Sequence, residues 1–266
     1  MLSNQKHIKL EKFGATRKMV LYVVYRAPKE STGRSALPSR LKKLGCQQLH
    51  RAFWKVDEEE ARKVLKVLEN NQPILLRRLR EIRNPQLAKK KEFTSLGSLV
   101  IVLFRVPQGV NRERVKNFLR RAPCLRLRRS VYAFSQKHKF YDKEGKLVDS
   151  LRFVNFLREM NGEVKILSRV VIINKRAVER LLEEARGRVE KGIAEIVKSC
   201  KELYGKALKR NDLAVLCDRF SRIRRRYVVL KKIASFYEGW LKLDFSRNLM
   251  RAYHALRKVN SVIKKR

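Results

Sequence analysis

Two blocks of this chain occur twice, in the same order and at nearly the same spacing. Val20-Leu21-Tyr22-Val23-Val24-Tyr25-Arg26-Ala27-Pro28 is matched 79 residues later by Leu99-Val100-Ile101-Val102-Leu103-Phe104-Arg105-Val106-Pro107. Each is a β-rich run that ends in aromatic, Arg, apolar, Pro. Cys46-Gln47-Gln48-Leu49-His50-Arg51-Ala52-Phe53-Trp54-Lys55-Val56 is matched 78 residues later by Cys124-Leu125-Arg126-Leu127-Arg128-Arg129-Ser130-Val131-Tyr132-Ala133-Phe134. Here the shared pattern is Cys-x-x-Leu-x-Arg-small-apolar-aromatic. Two separated matches in one order read as a duplicated unit, so the fold has to accommodate two similar halves.

Local signals give both halves one element order. In the first, the β-rich run at 20–28 precedes a helix over about 37–44, which Gly45 can close. A strand pair follows. Asp57-Glu58-Glu59-Glu60 then places carboxylates on the first turn of a helix running to Leu68, which suits its dipole. After Asn70-Asn71-Gln72-Pro73, residues 74–82 read as a closing strand. In the second half Asn111 can cap a helix through Arg121, and Pro123 stops it. A turn at 142–145, a helix at 147–160 with Asp149 near its start, and a strand at 164–173 follow. The order β-α-β-β-α-β is that of the ferredoxin-like split βαβ unit.

From Asn174, a plausible cap, Ala177, Leu181, Leu182, Ala185, Val189 and Ile193 recur at helical spacing. This helix is predicted to reach about Lys209. A second restarts at Asn211-Asp212 and runs to about Leu241, and Asp244 can cap a third through Val262. The predicted class is therefore α+β: tandem ferredoxin-like repeats followed by a domain of long antiparallel helices. The divisions are a basic arm (1–17), repeat 1 (18–84), a basic linker (85–97), repeat 2 (98–175) and a basic α-helical domain (176–266).

Charge indicates the partner. With 66 Lys and Arg against 25 Asp and Glu, the net charge is 66 − 25 = +41, yet 44% of the residues are hydrophobic. That apolar content predicts a folded chain rather than a disordered basic tail. The excess of one sign opposes compaction and calls for a polyanion. It is concentrated in two stretches: residues 75–130 carry sixteen basic and three acidic groups, and residues 201–266 nineteen and five. Residues 174–200, with seven and five, are close to balance, as a scaffold helix would be.

The candidate RNA contacts of the first stretch are Arg77, Arg78, Arg80, Lys89, Lys90, Lys91, Arg120, Arg121, Arg126, Arg128 and Arg129. In the strand at 125–128 the leucines alternate with Arg126 and Arg128, so one sheet face would present guanidinium forks to phosphates. The candidates of the second stretch are Arg222, Arg224, Arg225, Arg226, Lys231 and Lys232. Tyr227, Phe236, Tyr237 and Trp240 lie among them, as stacking residues for single-stranded RNA would. Burial tendency places Trp240 in the core instead, with Tyr25, Trp54 and Tyr132.

Other classes find less support. The longest apolar run, residues 99–104, is far short of a membrane span. The N-terminus has no apolar signal region, so a cytoplasmic location is expected. Cys46, Cys124, Cys200 and Cys217 are too dispersed for a zinc site or a disulfide framework. The four histidines, His7, His50, His138 and His254, form no catalytic motif. Asp142 and Asp149 are accounted for by a turn and a helix start. No catalytic, metal or cofactor site is expected, and the chain reads as a non-enzymatic nucleic-acid binder. Alternatives are a DNA-binding regulator or CRISPR-type accessory protein and, third, a divergent metal-dependent nuclease.

The repeated first-strand runs, with Arg129-Ser130-Val131-Tyr132, resemble the small CRISPR adaptation subunit and related ferredoxin-like repressor domains over about residues 18–175. In the adaptation subunit an Asp after the first strand is assigned to metal-dependent cleavage. Arg26 and Arg105 stand at the matching positions here, and a cation repels Mg²⁺. The resemblance thus implies the fold and argues against the nuclease. It also implies sheet faces and edges suited to pairing. As a whole, in size, basicity and layout, the chain resembles archaeal ribosome dimerisation (hibernation) factors. That likeness implies a homodimer that holds small ribosomal subunits together through rRNA and small-subunit proteins, blocking subunit joining. It implies no membrane and no small-molecule substrate.

Overall fold

The computed structural model describes residues 20–26, 36–87, 93–137, 147–209 and 212–265. Its first half contains β1 (Leu21–Val24), α1 (Ala36–Lys43), β2 (Gln47–His50), β3 (Phe53–Val56), α2 (Ala61–Val67) and β4 (Ile74–Arg78). A two-stranded ribbon, β5 (Gln86–Leu87) and β6 (Phe93–Ser95), leads to the second half. This comprises β7 (Leu99–Arg105), α3 (Arg112–Arg120), β8 (Leu125–Arg128), β9 (Val131–Ser135), α4 (Ser150–Glu159) and β10 (Glu163–Ile172). Three long helices follow: α5 (Lys175–Leu208), α6 (Leu213–Leu241) and α7 (Ser246–Lys264).

Eight strands make one antiparallel sheet, in the order β2-β3-β1-β4-β10-β7-β9-β8. The two halves meet where β4 pairs with β10, Leu76 opposite Ile172. Strand registers agree between halves: Val23 faces Trp54 as Val102 faces Tyr132. The β2–β3 and β8–β9 hairpins share an irregularity, after Gln48 and after Arg126. Their turns share a left-handed residue, Ala52 (φ 56°) and Ser130 (φ 64°).

Both faces of the sheet are covered. Leu21, Val23 and Trp54 pack under α1 and α2, while Val102, Phe104 and Phe134 pack with α3 and α4. Tyr22, Val24, Ile101, Leu103, Leu125 and Leu127 point the other way and share one core with α5, α6 and α7. Burial on both sides explains the uninterrupted apolar run of β7. The expected free sheet face is thus occupied by helix. The predicted helical segment shares its core with the sheet.

The sheet curls until its distant parts touch. Arg128 of β8 lies over the Tyr25 ring, 5.4 Å from its centroid. Arg26 donates through Nε to Leu127 O (2.9 Å) and through Nη2 to Arg126 O (2.6 Å), and pairs with Glu184 of α5. Those bonds occupy carbonyls of the β8 edge, so the edge is not free for pairing. Across the same seam, His50 Nε2 donates to Phe104 O at 3.1 Å.

Side-chain caps hold the helix starts of α3, α4 and α6: Asn111, Asp149 and Asp212 accept from Glu113 N, Arg152 N and Ala214 N. Elsewhere the local signals were overridden. Asn174 sits at the start of α5 but does not cap it; its side chain bridges Leu75 N and Pro73 O, fastening α5 to β4. The carboxylates at 57–60 precede α2, and Glu60 pairs with Lys63. β4 ends at Arg78, four residues early, where Leu79 N turns to Arg169 O.

The segment predicted as a linker (85–97) contains the β5–β6 ribbon, with Phe93 and Leu96 buried and Trp240 Nε1 donating to Leu96 O. Gly97 closes it at φ +75°, where an added Cβ would lie 2.7 Å from Pro85 N and 2.9 Å from Arg83 O. Gly97→Ala is expected to destabilise the protein by more than about 2 kcal/mol, through left-handed strain and backbone overlap. Gly45→Ala, where nothing lies within 4 Å, should lose only the strain. Thermal unfolding of both variants compares them; equal midpoints would show that the backbone at 83–85 yields to a Cβ.

Candidate nucleic-acid interface

The scaffold of the interface is α5, whose 34 residues extend about 51 Å. Its first half lies on the sheet, and its second half packs on α6 and α7. Glu195 meets Arg226 of α6, and Lys258 of α7 lies 4.7 Å from the centre of the Tyr204 ring. Four carboxylates of α5 are used internally: Glu179 by Lys175, Glu183 by Arg186, Glu184 by Arg26 and Arg180, and Glu195 by Arg226. That internal use accounts for its near-neutral composition.

On α6, Arg222, Arg224, Arg225, Arg226 and Lys231 are exposed, and Lys232 is half-buried. Arg222 pairs with Asp218 at 2.5 Å and Arg226 with Glu195 at 3.1 Å. Exposed pairs of this kind contribute roughly 0–1 kcal/mol, so a phosphate can displace the carboxylate. Arg225 reaches only Ser221 O, at 3.4 Å. Among the described residues Arg224 and Lys231 have no ion-pair partner.

The first stretch is divided by the fold. Arg78, Arg80, Arg120, Arg126 and Arg129 are exposed, and Arg77 and Arg121 are half-buried. Arg120 bonds Asn117 Oδ1 at 2.9 Å. Arg128 is drawn into the seam over Tyr25, where burial lowers its pKa. Lys89, Lys90 and Lys91, like His7, His138 and Asp142, lie outside the described residues. Because β8 is the edge strand, its arginines form a rim where a broad phosphate-binding face was expected. The seam adds Arg51 and Arg105, whose charges act on Arg128 and His50 respectively. Burial pushes the His50 imidazole below its usual range, with the bond to Phe104 opposing and Arg105 reinforcing the shift.

The aromatic prediction needs correction. Phe236 and Tyr237 are buried and cannot stack on bases, while Trp240, at 1% exposure, is in the core where burial tendency places it. Beyond Val229 the inward face of α6 is covered by the sheet, the ribbon and α5, and these rings fill that space, while Lys231, Ser235 and Glu238 remain exposed. Tyr227 is half-buried, and its hydroxyl bonds Leu249 O of α7 at 3.5 Å.

Among the described residues the exposed ring is Tyr253 of α7, at 48%, beside Met250 at 55%. Across its 19 residues α7 contains no Asp or Glu, and Arg247, Arg251, His254, Arg257, Lys258 and Lys264 are exposed. The sequence predicted this helix without marking its cations as contacts, although a run of that length without a carboxylate was the available signal.

Among the described residues no group of three or more His, Cys, Asp or Glu could hold a metal ion. Arg26, at the position where the adaptation subunit carries its Asp, is engaged by Glu184 and the β8 carbonyls. No described helix is long and apolar enough to cross a membrane. Comparison with protein-family models, curated proteins and solved structures finds no match.

Proposed function

We propose that this chain is a non-enzymatic RNA-binding protein that associates with the small ribosomal subunit and dimerises or inactivates it, blocking subunit joining. The carrying observation is the cationic layer of α6 and α7, on which Arg224, Lys231, Arg247 and Arg257 are exposed without a carboxylate partner among the described residues. Phosphates of a large irregular RNA supply the missing negative charge, and each contact releases counterions. The shared strand order and register of the two halves support tandem ferredoxin-like repeats, here acting as a brace that holds α5 and, through it, the cationic helices. Leu208, Leu213 and Val215, exposed at the α5–α6 turn, provide an apolar surface that a homodimer would use. The mechanism is occupation of an rRNA surface, which requires no catalytic group or cofactor.

Sedimentation of a cell lysate through a sucrose gradient tests the reading. The protein should travel with small subunits or a heavier small-subunit species and be absent from polysomes. Migration as a free small species, or with DNA after RNase treatment, would overturn it in favour of a regulator.

A further inference from the structure

We infer that the groove between α5 and α7 receives one unstacked nucleotide of single-stranded RNA, an assignment that rests on the RNA-binding reading and locates a specific site within it. The groove has a volume of about 440 Å³, within the range of roughly 300–1,000 Å³ that takes small organic groups. Ile193, Ala194 and Val197 of α5 supply an apolar floor, and Lys198, Lys201 and Arg251 supply three cations. Asn248 and Glu190 complete the lining.

The groups suit the parts of a nucleotide. Lys198 and Lys201 are three residues apart on α5, and Asn248 and Arg251 three apart on α7, so each pair lies on one helix face. The cations attract the phosphate, and the floor accepts the flat face of the base. The Asn248 amide both donates and accepts, as a base edge requires. Glu190 accepts from an exocyclic amine or the 2′-hydroxyl.

The protein itself does not use these groups. The side chains of Glu190, Lys198, Lys201, Asn248 and Arg251 form no hydrogen bond or ion pair with the described residues, whereas four other carboxylates of α5 are paired. Charge complementarity selects an anionic ligand, and the limited volume of the groove favours a single base over a duplex. A base in a duplex would first have to be unstacked, which a single strand avoids.

The test is Ala194→Trp in the full chain, which fills the groove from an exposed position without altering charge. Binding is read by fluorescence anisotropy at roughly 150 mM salt, with a single-stranded RNA oligonucleotide and a blunt RNA duplex as probes. Single-strand affinity should fall at least about fivefold, with duplex affinity little changed. Asn248→Leu, which removes the base-edge amide without altering charge, is the second probe, expected to show the same selective loss should the first variant misfold. Equal effects on both RNAs, or none, overturn the pocket and leave the RNA-binding reading standing. Failure of the wild-type protein to bind either RNA overturns that reading and the pocket with it.

Discussion

Arg188→Met is expected to lower the thermal midpoint by about 6–12 °C. Arg188 leaves α5 and donates to Leu119 O (2.8 Å), Arg120 O (3.3 Å), Cys124 O (3.2 Å) and Tyr237 Oη (3.3 Å). The Tyr237 hydroxyl in turn donates to Cys124 O at 2.8 Å. One guanidinium therefore joins α5, α6, the end of α3 and the entry to β8. Leu119 and Arg120 are at the C-terminus of α3, where the negative end of the helix dipole and the spare lone pairs of the last carbonyls favour a cation. That field replaces a carboxylate counterion, since no ion pair engages Arg188 among the described residues.

Methionine retains the aliphatic stem and removes every donor. Hydrogen bonds to charged groups contribute about 1.5–3 kcal/mol each and do not add fully. A loss of about 3 kcal/mol is a conservative sum, and a protein of this size shifts by about 2–4 °C per kcal/mol. Differential scanning calorimetry measures it, with Tyr237→Phe as a smaller companion change of about 1 kcal/mol. A midpoint within about 2 °C of wild type would mean that α5 is held to the second half by apolar packing alone.

The second large effect concerns binding. Arg224→Glu with Arg225→Glu should reduce RNA affinity roughly tenfold or more at moderate salt, leaving the fold intact. Both side chains are exposed on α6, and neither holds an ion pair, so the folded state loses little. The complex loses two phosphate contacts and gains two repulsions. The plot of log affinity against log salt should also flatten, by about 0.7–0.9 for each contact removed. Filter binding at several salt concentrations gives both quantities. Unchanged affinity with an unchanged slope would move the interface off this part of α6, leaving α7 or the β8 rim.

Much of this architecture was legible in the chain. The repeated blocks became strands in matching register because β-rich runs and a left-handed hairpin residue act within a few neighbours. Three helix starts were marked by their own caps, Asn111, Asp149 and Asp212, which bond backbone only two or three residues ahead. The pairing of β4 with β10 had no such signal, because it joins strands nearly a hundred residues apart.

The interface was legible only in part. Arg224 and Arg225 stand where a charged helix face was expected, but the rings thought to accompany them are interior. A period of 3.6 identifies an apolar stripe; it does not reveal that Phe236, Tyr237 and Trp240 are enclosed on further sides by the β5–β6 ribbon and the sheet. Tyr253, in a helix without carboxylates, was the ring left outside.

The sequence by itself determined the elements and the excess of positive charge, since each depends on composition or on residues close along the chain. Tertiary structure alone decided which cations are free to meet a phosphate. Arg26 and Arg224 are the same side chain chemically. The first is taken by Glu184 and by Leu127 O, 101 residues away, because the sheet curls, while α6 leaves the second in water.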